Sequence, residues 1–373
     1  MPDAPAPPIR RIGITTGGGD APGLNAVICA VTRAALQRGW DCVGIRDGYD
    51  GLLRPERYRD GGLLALTRER VDGIAALGGT LLGSTNQGDP FAYPTLQAGG
   101  GVVQVDRSQD LLDALARERM DALVAVGGDG SLAIAHRLAE RGMRVVGVPK
   151  TIDNDLDRTV TTFGFDTAVA FASDCIERLH TTAASHHRVL VVEVMGRYAG
   201  WIALHAGLAG GAHAILLPEL PFNLATVAGM VTRREAQGQA YSIVVVAEGA
   251  RPRDGERALS APAAAGHAER LGGMGEKVGQ ALARLTGKDA RCVVLGHLLR
   301  GGSPTAFDRV AALRFGAAAV RELAAGRHGV MVALDGGDVR PVPLAEVAGR
   351  MKAVPLDGDT LATARDLGLC LGD

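Results

Sequence analysis

Within six consecutive residues, Lys150-Thr151-Ile152-Asp153-Asn154-Asp155 brings together an ammonium, a hydroxyl and two carboxylates. A carboxylate beside an attacking hydroxyl can take its proton, and an ammonium can hold a transferred anionic group. In an extended segment Asp153 and Asp155 would share a face on either side of Asn154. As plain local structure the run is an Asx-rich turn, which accounts for Asn154 and Asp155. It accounts less well for a lysine, a threonine and an acid pair directly after the apolar run Val145–Val148. Lysine is also scarce here: of 40 basic residues only 4 are lysines.

A second cluster, Val126-Gly127-Gly128-Asp129-Gly130-Ser131, sets a carboxylate inside a glycine loop. Such a carboxylate repels phosphate unless a cation lies between them, and Mg2+ is commonly held by one or two carboxylates plus nucleotide phosphates. Asp129 is then the metal carboxylate; the alternative is an aspartate that only caps a helix. A third cluster, Thr16–Val27 (TGGGDAPGLNAV), reads either as a phosphate cradle or as a tight turn capped by Asp20. Three more stretches bring arginines to the ends of apolar runs: His186–Gly200, Val246–Pro252 and Ala290–Pro304. Arg188, Arg197, Arg291 and Arg300 would supply planar, permanently charged donors to a phosphate, with His297 as a further donor, beside Glu248.

These residues need a scaffold that delivers them to one region. Short β-branched runs are expected as strands at Arg11–Thr15, Trp40–Ile45, Ala122–Val126, Val145–Val148, Val189–Val194, Ala214–Leu217, Ser242–Ala247 and Cys292–Gly296. Helical patterns lie between them at Gly23–Arg38, Asp110–Glu118, Leu132–Arg141, Thr167–Thr182 and Gly275–Arg284. Near-continuous apolar strands alternating with helices predict an α/β fold with parallel-rich sheets covered on both faces. Arg251–Leu271 lacks periodicity and reads as a surface loop before a helix. The glycine clusters mostly follow strands, which is where open α/β sheets bind ligands.

Composition narrows the function. Glycine contributes 52 of 373 residues, yet 47% hydrophobic residues make a normal core, so the glycine belongs to turns and not to disorder. A net charge of −1 argues against nucleic acid or a membrane surface as the main partner. No apolar run approaches the roughly 18 residues that span a bilayer. Five scattered cysteines without a CxxC pair fit free thiols in a reducing, cytoplasmic compartment.

Taken in order and at these separations, GGGDAPGLNA, GGDGS, PKTIDND, EVMGRYAG and GHLLRGG resemble the 6-phosphofructokinase family. The resemblance runs from about residue 10 to about residue 315, and the closing DLGLCLGD is also similar. It implies two Rossmann-like three-layer domains with the active site in the cleft. Residues 1–164 plus 299–349 would form the donor domain, and 165–298 plus 350–373 the sugar-phosphate domain. It implies ATP as co-substrate near Gly18, Asn86, Gly128, Asp129, Gly130, Ser131 and Lys150, with Mg2+ on Asp129. Fructose 6-phosphate would meet Thr151, Asp153, Arg188, Met195, Gly196, Arg197, Glu248, Arg291, His297 and Arg300. Asp153 would be the base for the sugar 1-hydroxyl, with Thr151 and Arg197 also catalytic. Arg188 and Arg291 would reach the 6-phosphate from a neighbouring copy, implying a homo-oligomer, a tetramer or a dimer, working in glycolysis.

Two positions bear on the donor. In the family, glycine at position 130 goes with ATP, because an aspartate there would repel the nucleotide's α-phosphate region. Lysine at position 150 goes with pyrophosphate. The combination resembles the mixed-substrate subgroup, and exclusion at position 130 is the harder constraint, which favours ATP. Asn86 stands where common bacterial ATP enzymes carry an arginine, and Cys29 where they carry an effector-binding arginine; Arg33 matches a second effector position. Other readings are a pyrophosphate-dependent enzyme, a kinase of another sugar phosphate such as sedoheptulose 7-phosphate, an NAD kinase sharing the GGDG logic, and a non-catalytic nucleotide-binding regulator.

Overall fold

Strands that are apolar on both faces need a sheet covered on both sides, and the computed structural model of the chain contains two such sheets. It describes residues 8–97, 100–261 and 270–373. In chain order the strands of these two sheets are β1 (Arg11–Thr16), β2 (Asp41–Ile45), β3 (Leu63–Ala65), β4 (Ala122–Gly127), β5 (Val145–Pro149) and β6 (Val189–Val194). They continue with β7 (Ala214–Leu216), β8 (Ser242–Ala247), β9 (Ala290–Val294), β10 (Val330–Asp335) and β11 (Asp338–Pro343). The helices of nine or more residues begin with α1 (Leu24–Leu36), α2 (Ser108–Arg117), α3 (Asp129–Glu140) and α4 (Phe165–His186). After them come α5 (Trp201–Ala209), α6 (Leu224–Ala236), α7 (Met274–Thr286) and α8 (Ala306–Ala324).

The chain forms two compact units. Unit 1 runs to Thr151 and includes Leu156–Gly164 and Gly301–Met351; unit 2 comprises Ile152–Asp155, Phe165–Arg300 and Lys352–Asp373. The sequence reading keeps residues 1–164 together, whereas Ile152–Asp155 belongs with unit 2. Two bonds join that segment to Lys352 of the same unit: the Lys352 N–H donates to the Asp155 carbonyl at 2.8 Å, and Lys352 Nζ to Asn154 Oδ1 at 3.0 Å.

Unit 1 is built on a seven-stranded sheet in the order β11-β10-β5-β4-β1-β2-β3. The five inner strands are parallel, and β3 and β11 are antiparallel edges. Alternation along β4 sends Val124 and Val126 into the core under α1 and α8, and Leu123 and Ala125 into the core under α2 and α3. That gives three layers. The strand order turns around at β1 and β4, the position in doubly wound sheets where a crevice opens beyond the strand ends.

Unit 2 is built on a fully parallel sheet in the order β9-β6-β8-β7. Val189 and Val191 of β6, with Val244 and Val246 of β8, pack under α6 and α7. On the other face lie α4 and α5. The segment expected to be a loop before a helix contains a short antiparallel pair, Leu259–Ala261 with Arg270–Leu271; residues 262–269 lie outside the described residues. The last parallel strand ends two residues earlier than expected, because Leu295 and Gly296 leave the sheet into a short 3-10 turn, Gly296–Arg300. Among the described residues no helix is long and apolar enough to cross a membrane.

Candidate active site

In unit 1 the ends of β1 and β4 carry two glycine turns that are bonded together. The Gly17 N–H donates to the Val126 carbonyl at 2.9 Å, and the Gly18 N–H to the Thr85 carbonyl at 2.9 Å. Ser84 Oγ donates to the Gly18 carbonyl. Gly18 has φ +79°, and a Cβ there would stand 3.2 Å from Lys150 Nζ, 3.8 Å from Ser131 Oγ and 4.0 Å from Asn86 Oδ1. Three polar side chains therefore converge on one small space that a side chain at position 18 would fill. Lys150 is only 3% exposed; its N–H donates to the Gly127 carbonyl at 2.9 Å and its ammonium to the Gly19 carbonyl. Thr151, also buried, offers its carbonyl to the Thr162 hydroxyl at 2.7 Å.

Neither aspartate proposed as a simple cap occupies the cap position. The cap residue of α1 is Gly23, three residues after Asp20. The cap of α3 is Gly128, and Asp129 is the first helical residue, exposed, accepting the Gly349 N–H at 3.0 Å. A carboxylate at the first turn is favoured by the helix dipole, and the amides behind it face any anion that approaches. Gly130 is open: a Cβ there would meet no heavy atom within 4 Å. Among the described residues no group of three or more His, Cys, Asp or Glu could hold a metal ion. That donor set fits a cation held by Asp129 together with phosphate oxygens and water, not a resident metal centre.

In unit 2 the corresponding turns follow β6 and β8. The Glu248 N–H donates to the Val194 carbonyl at 2.9 Å and the Gly249 N–H to the Gly196 carbonyl at 3.1 Å. The turns approach so closely that a Cβ on Gly249 would lie 2.0 Å from the Arg197 carbonyl oxygen. Glu248 is half-buried, and its carboxyl is pushed up to about 7. Burial is the main cause; the Asp153 and Glu193 charges add to it, and Arg197 and Arg300 oppose it. Asp153, Arg197, Glu248 and Arg300 thus share one electrostatic neighbourhood. His297 is exposed on the 3-10 turn beside Arg300, and Met195 is half-buried before Gly196. The expected extended placement of Asp153 and Asp155 does not occur: Asn154 has φ +52°, so the backbone turns between them.

Two of the predicted arginines lie elsewhere. Arg188 Nε meets Asp289 Oδ2 at 2.6 Å, and Arg291 Nη2 meets Asp289 Oδ1 at 3.3 Å. Both arginines sit at the amino ends of β6 and β9, opposite the ends that lead to Arg197 and Arg300.

The phosphofructokinase family model matches residues 11–323 of the chain. That span takes in both glycine turns of unit 1 and both turns of unit 2. The chain belongs to the phosphofructokinase family. It is 52% identical over 366 residues to an ATP-dependent 6-phosphofructokinase of Chloroflexus aggregans, covering 98% of each chain. It is 51% identical over 350 residues to a pyrophosphate–fructose 6-phosphate 1-phosphotransferase of Amycolatopsis mediterranei, covering 93% of this chain and 97% of the other. In structure it resembles phosphofructokinase from Saccharomyces cerevisiae, with a TM-score of 0.74 and 29% identity over 90% of this chain and 45% of that one. In this phosphofructokinase the sequence reading missed the residues that hold the others: Ser84, Asp289, Gly349 and Lys352. Gly349 acts through a backbone amide and has no readable side chain, while Lys352 could have been noticed as one of only four lysines.

Proposed function

We propose that this phosphofructokinase transfers the γ-phosphate of ATP to the 1-hydroxyl of fructose 6-phosphate, forming fructose 1,6-bisphosphate and ADP. Asp153 takes the hydroxyl proton as O1 attacks phosphorus and the bond to the β-phosphate oxygen breaks, the general-base role that a positioned carboxylate fills in kinases. Thr151 and Lys150 attend the transferred group. Asp129 holds the Mg2+ that arrives with the nucleotide, a cation that offsets charge on the phosphates. Gly18, Asn86, Gly128, Gly130 and Ser131 surround the donor. Arg197, Arg300, His297 and Glu248, with Met195 and Gly196, hold the sugar phosphate.

The observation that carries ATP as the donor is the open space at Gly130, where a Cβ would meet no heavy atom within 4 Å. The relative from Chloroflexus aggregans carries the ATP-dependent name. A pyrophosphate-dependent reaction is the second reading, favoured by the Lys150 ammonium 3.2 Å from the Gly18 Cβ direction and by the name of the Amycolatopsis relative.

Arg188 and Arg291 serve the 6-phosphate of a neighbouring copy in a homo-oligomer, a tetramer or a dimer. The enzyme works in the cytoplasm, a reading supported by five unbridged cysteines. The deciding experiment measures transfer to fructose 6-phosphate from ATP and from pyrophosphate at equal Mg2+. Faster turnover with ATP is expected; faster turnover with pyrophosphate overturns the donor assignment.

A further inference from the structure

After Asp153 the backbone passes through Asn154 at φ +52°, a left-handed conformation that Asn tolerates better than most residues but that still costs energy. Lys352, a residue outside every motif, bonds to that turn twice. The Lys352 N–H donates to the Asp155 carbonyl at 2.8 Å, and Lys352 Nζ donates to Asn154 Oδ1 at 3.0 Å across 198 positions of sequence. Lys352 is fixed in turn from its other side. Trp201 Nε1 donates to the Lys352 carbonyl at 2.9 Å, and the ammonium lies 5.5 Å from the centre of the Trp201 ring. Two residues on, the Val354 N–H donates to Glu219 Oε1 at 2.8 Å, and the same oxygen accepts the Gly200 N–H at 3.0 Å. Gly200 and Trp201 close the loop that begins at Met195 and contains Arg197. The strap Lys352–Val354 therefore ties the segment bearing Asp153 to the loop bearing Arg197.

We propose that Lys352 is a positioning residue for phosphoryl transfer: by pinning the Asn154 turn to the start of α5, it sets the direction of the Asp153 carboxylate relative to the loop Met195–Gly200. The inference rests on the reaction proposed above, with Asp153 as base. A bond from an ammonium is stronger than one between neutral groups, so its loss lets the turn relax.

Lys352→Met keeps the strap's backbone bonds and removes only the ammonium; Asn154→Gly removes the acceptor and suits the positive φ. Because a displacement of about 1 Å can cost about 100-fold in rate, each change is expected to lower kcat about 10- to 100-fold. The KM for fructose 6-phosphate should stay within about threefold, the pattern of an interaction that matters in the transition state. The losses in the double variant should fall well short of the product of the singles, since the two changes share the bond between them. Lys352→Arg, which keeps a charged donor, should recover part of the rate. Hydrogen exchange across residues 151–156 should quicken in Lys352→Met and in Asn154→Gly, a readout that needs no turnover. Unchanged kcat in Lys352→Met, multiplied losses in the double variant, or a raised KM at unchanged kcat overturns the inference. If the wild type transfers phosphate to fructose 6-phosphate from neither donor, the proposed reaction falls. Exchange then decides on Lys352 alone, and unchanged exchange overturns its hold on the turn.

Discussion

Two carboxylates in unit 2, Asp153 and Glu248, carry opposite demands. Asp153 must be ionised to accept a proton, and its charge is one of the causes that push Glu248 up to about 7, after burial. Asp153→Asn is expected to keep the fold and fructose 6-phosphate binding while losing about 100- to 10,000-fold in kcat, the range of general-base catalysis. Steady-state kinetics beside a binding titration checks this, and near-normal turnover removes Asp153 from the role. Glu248 makes a separate prediction about stability. Its ordinary value is 4.5, so between pH 4.5 and about 7 the unfolded chain has lost this proton and the folded chain keeps it. Folding then takes up a proton, and the contribution to stability falls as pH rises through that window, remaining level outside it. Glu248→Gln removes the titration, so the variant's Tm minus the wild-type Tm should grow from pH 4.5 to about 7 and then level off. In Asp153→Asn the upper edge of the window should move to lower pH, because one of the charges that raise Glu248 is gone. A Tm difference that does not vary with pH contradicts both statements.

The turns after β6 and β8 depend on one another more than on their own sequences. Gly249 fits only because it lacks a Cβ, which would meet the Arg197 carbonyl oxygen at 2.0 Å and the Gly196 carbonyl oxygen at 2.8 Å. These are backbone atoms and cannot swing aside as a side chain would. Gly249→Ala should therefore force the turns apart, costing about 1–3 kcal/mol of stability as overpacking does. It should also raise the KM for fructose 6-phosphate; calorimetry and kinetics read the two effects, and a variant normal in both contradicts the account. How far such elements are legible in sequence depends on what carries them. The parallel strands β1, β2 and β4 to β8 are readable because burial on both faces demands unbroken apolar runs, whereas β9 is partly exposed and β10, also parallel, is absent from the expected strands. The edges are not: β3 has three residues, and β11 contains Pro341 and Pro343, tolerable on an edge but foreign to a strand pattern. The side chains of the site are likewise legible by type, since GGDGS and PKTIDND announce their chemistry. What holds them is hidden, because Gly349 reaches Asp129 across 220 positions through a bare amide and Lys352 reaches Asn154 across 198. The turn at Asn154 was invisible for a related reason: an aspartate-asparagine-aspartate run fits an extended strand end and a left-handed bend equally well.

Scale sets a limit on what one copy of the chain can do. Arg188 precedes β6 and Arg291 is the second residue of β9, where Asp289 draws their guanidinium groups into one patch. Arg197 and Arg300 lie beyond the carboxyl ends of the same strands. A strand advances about 3.3 Å per residue, so the length of β6 separates the two groups by roughly 20 Å. With the Arg188 and Arg291 side chains drawn to Asp289 at the opposite strand ends, a role for them in binding the 6-phosphate is best served in a neighbouring copy. The consequence is specific to an oligomer. Arg188→Ala and Arg291→Ala should each raise the KM for fructose 6-phosphate about 10- to 100-fold, in line with ~1.5–3 kcal/mol for a bond to a charged group. Asp153→Asn should be nearly inactive on its own. Co-assembled with Asp153→Asn copies, however, an Arg188→Ala copy keeps its own Asp153 and receives an intact Arg188 from its partner. Such a mixed particle contains a site with every native group, although neither parent does. Unfolding and refolding the two variants together should then yield low-KM turnover above the weighted sum of the separate samples. A mixture that shows only that sum, while size-exclusion chromatography with light scattering confirms co-assembly, would mean that the arginines act within their own copy or not at all.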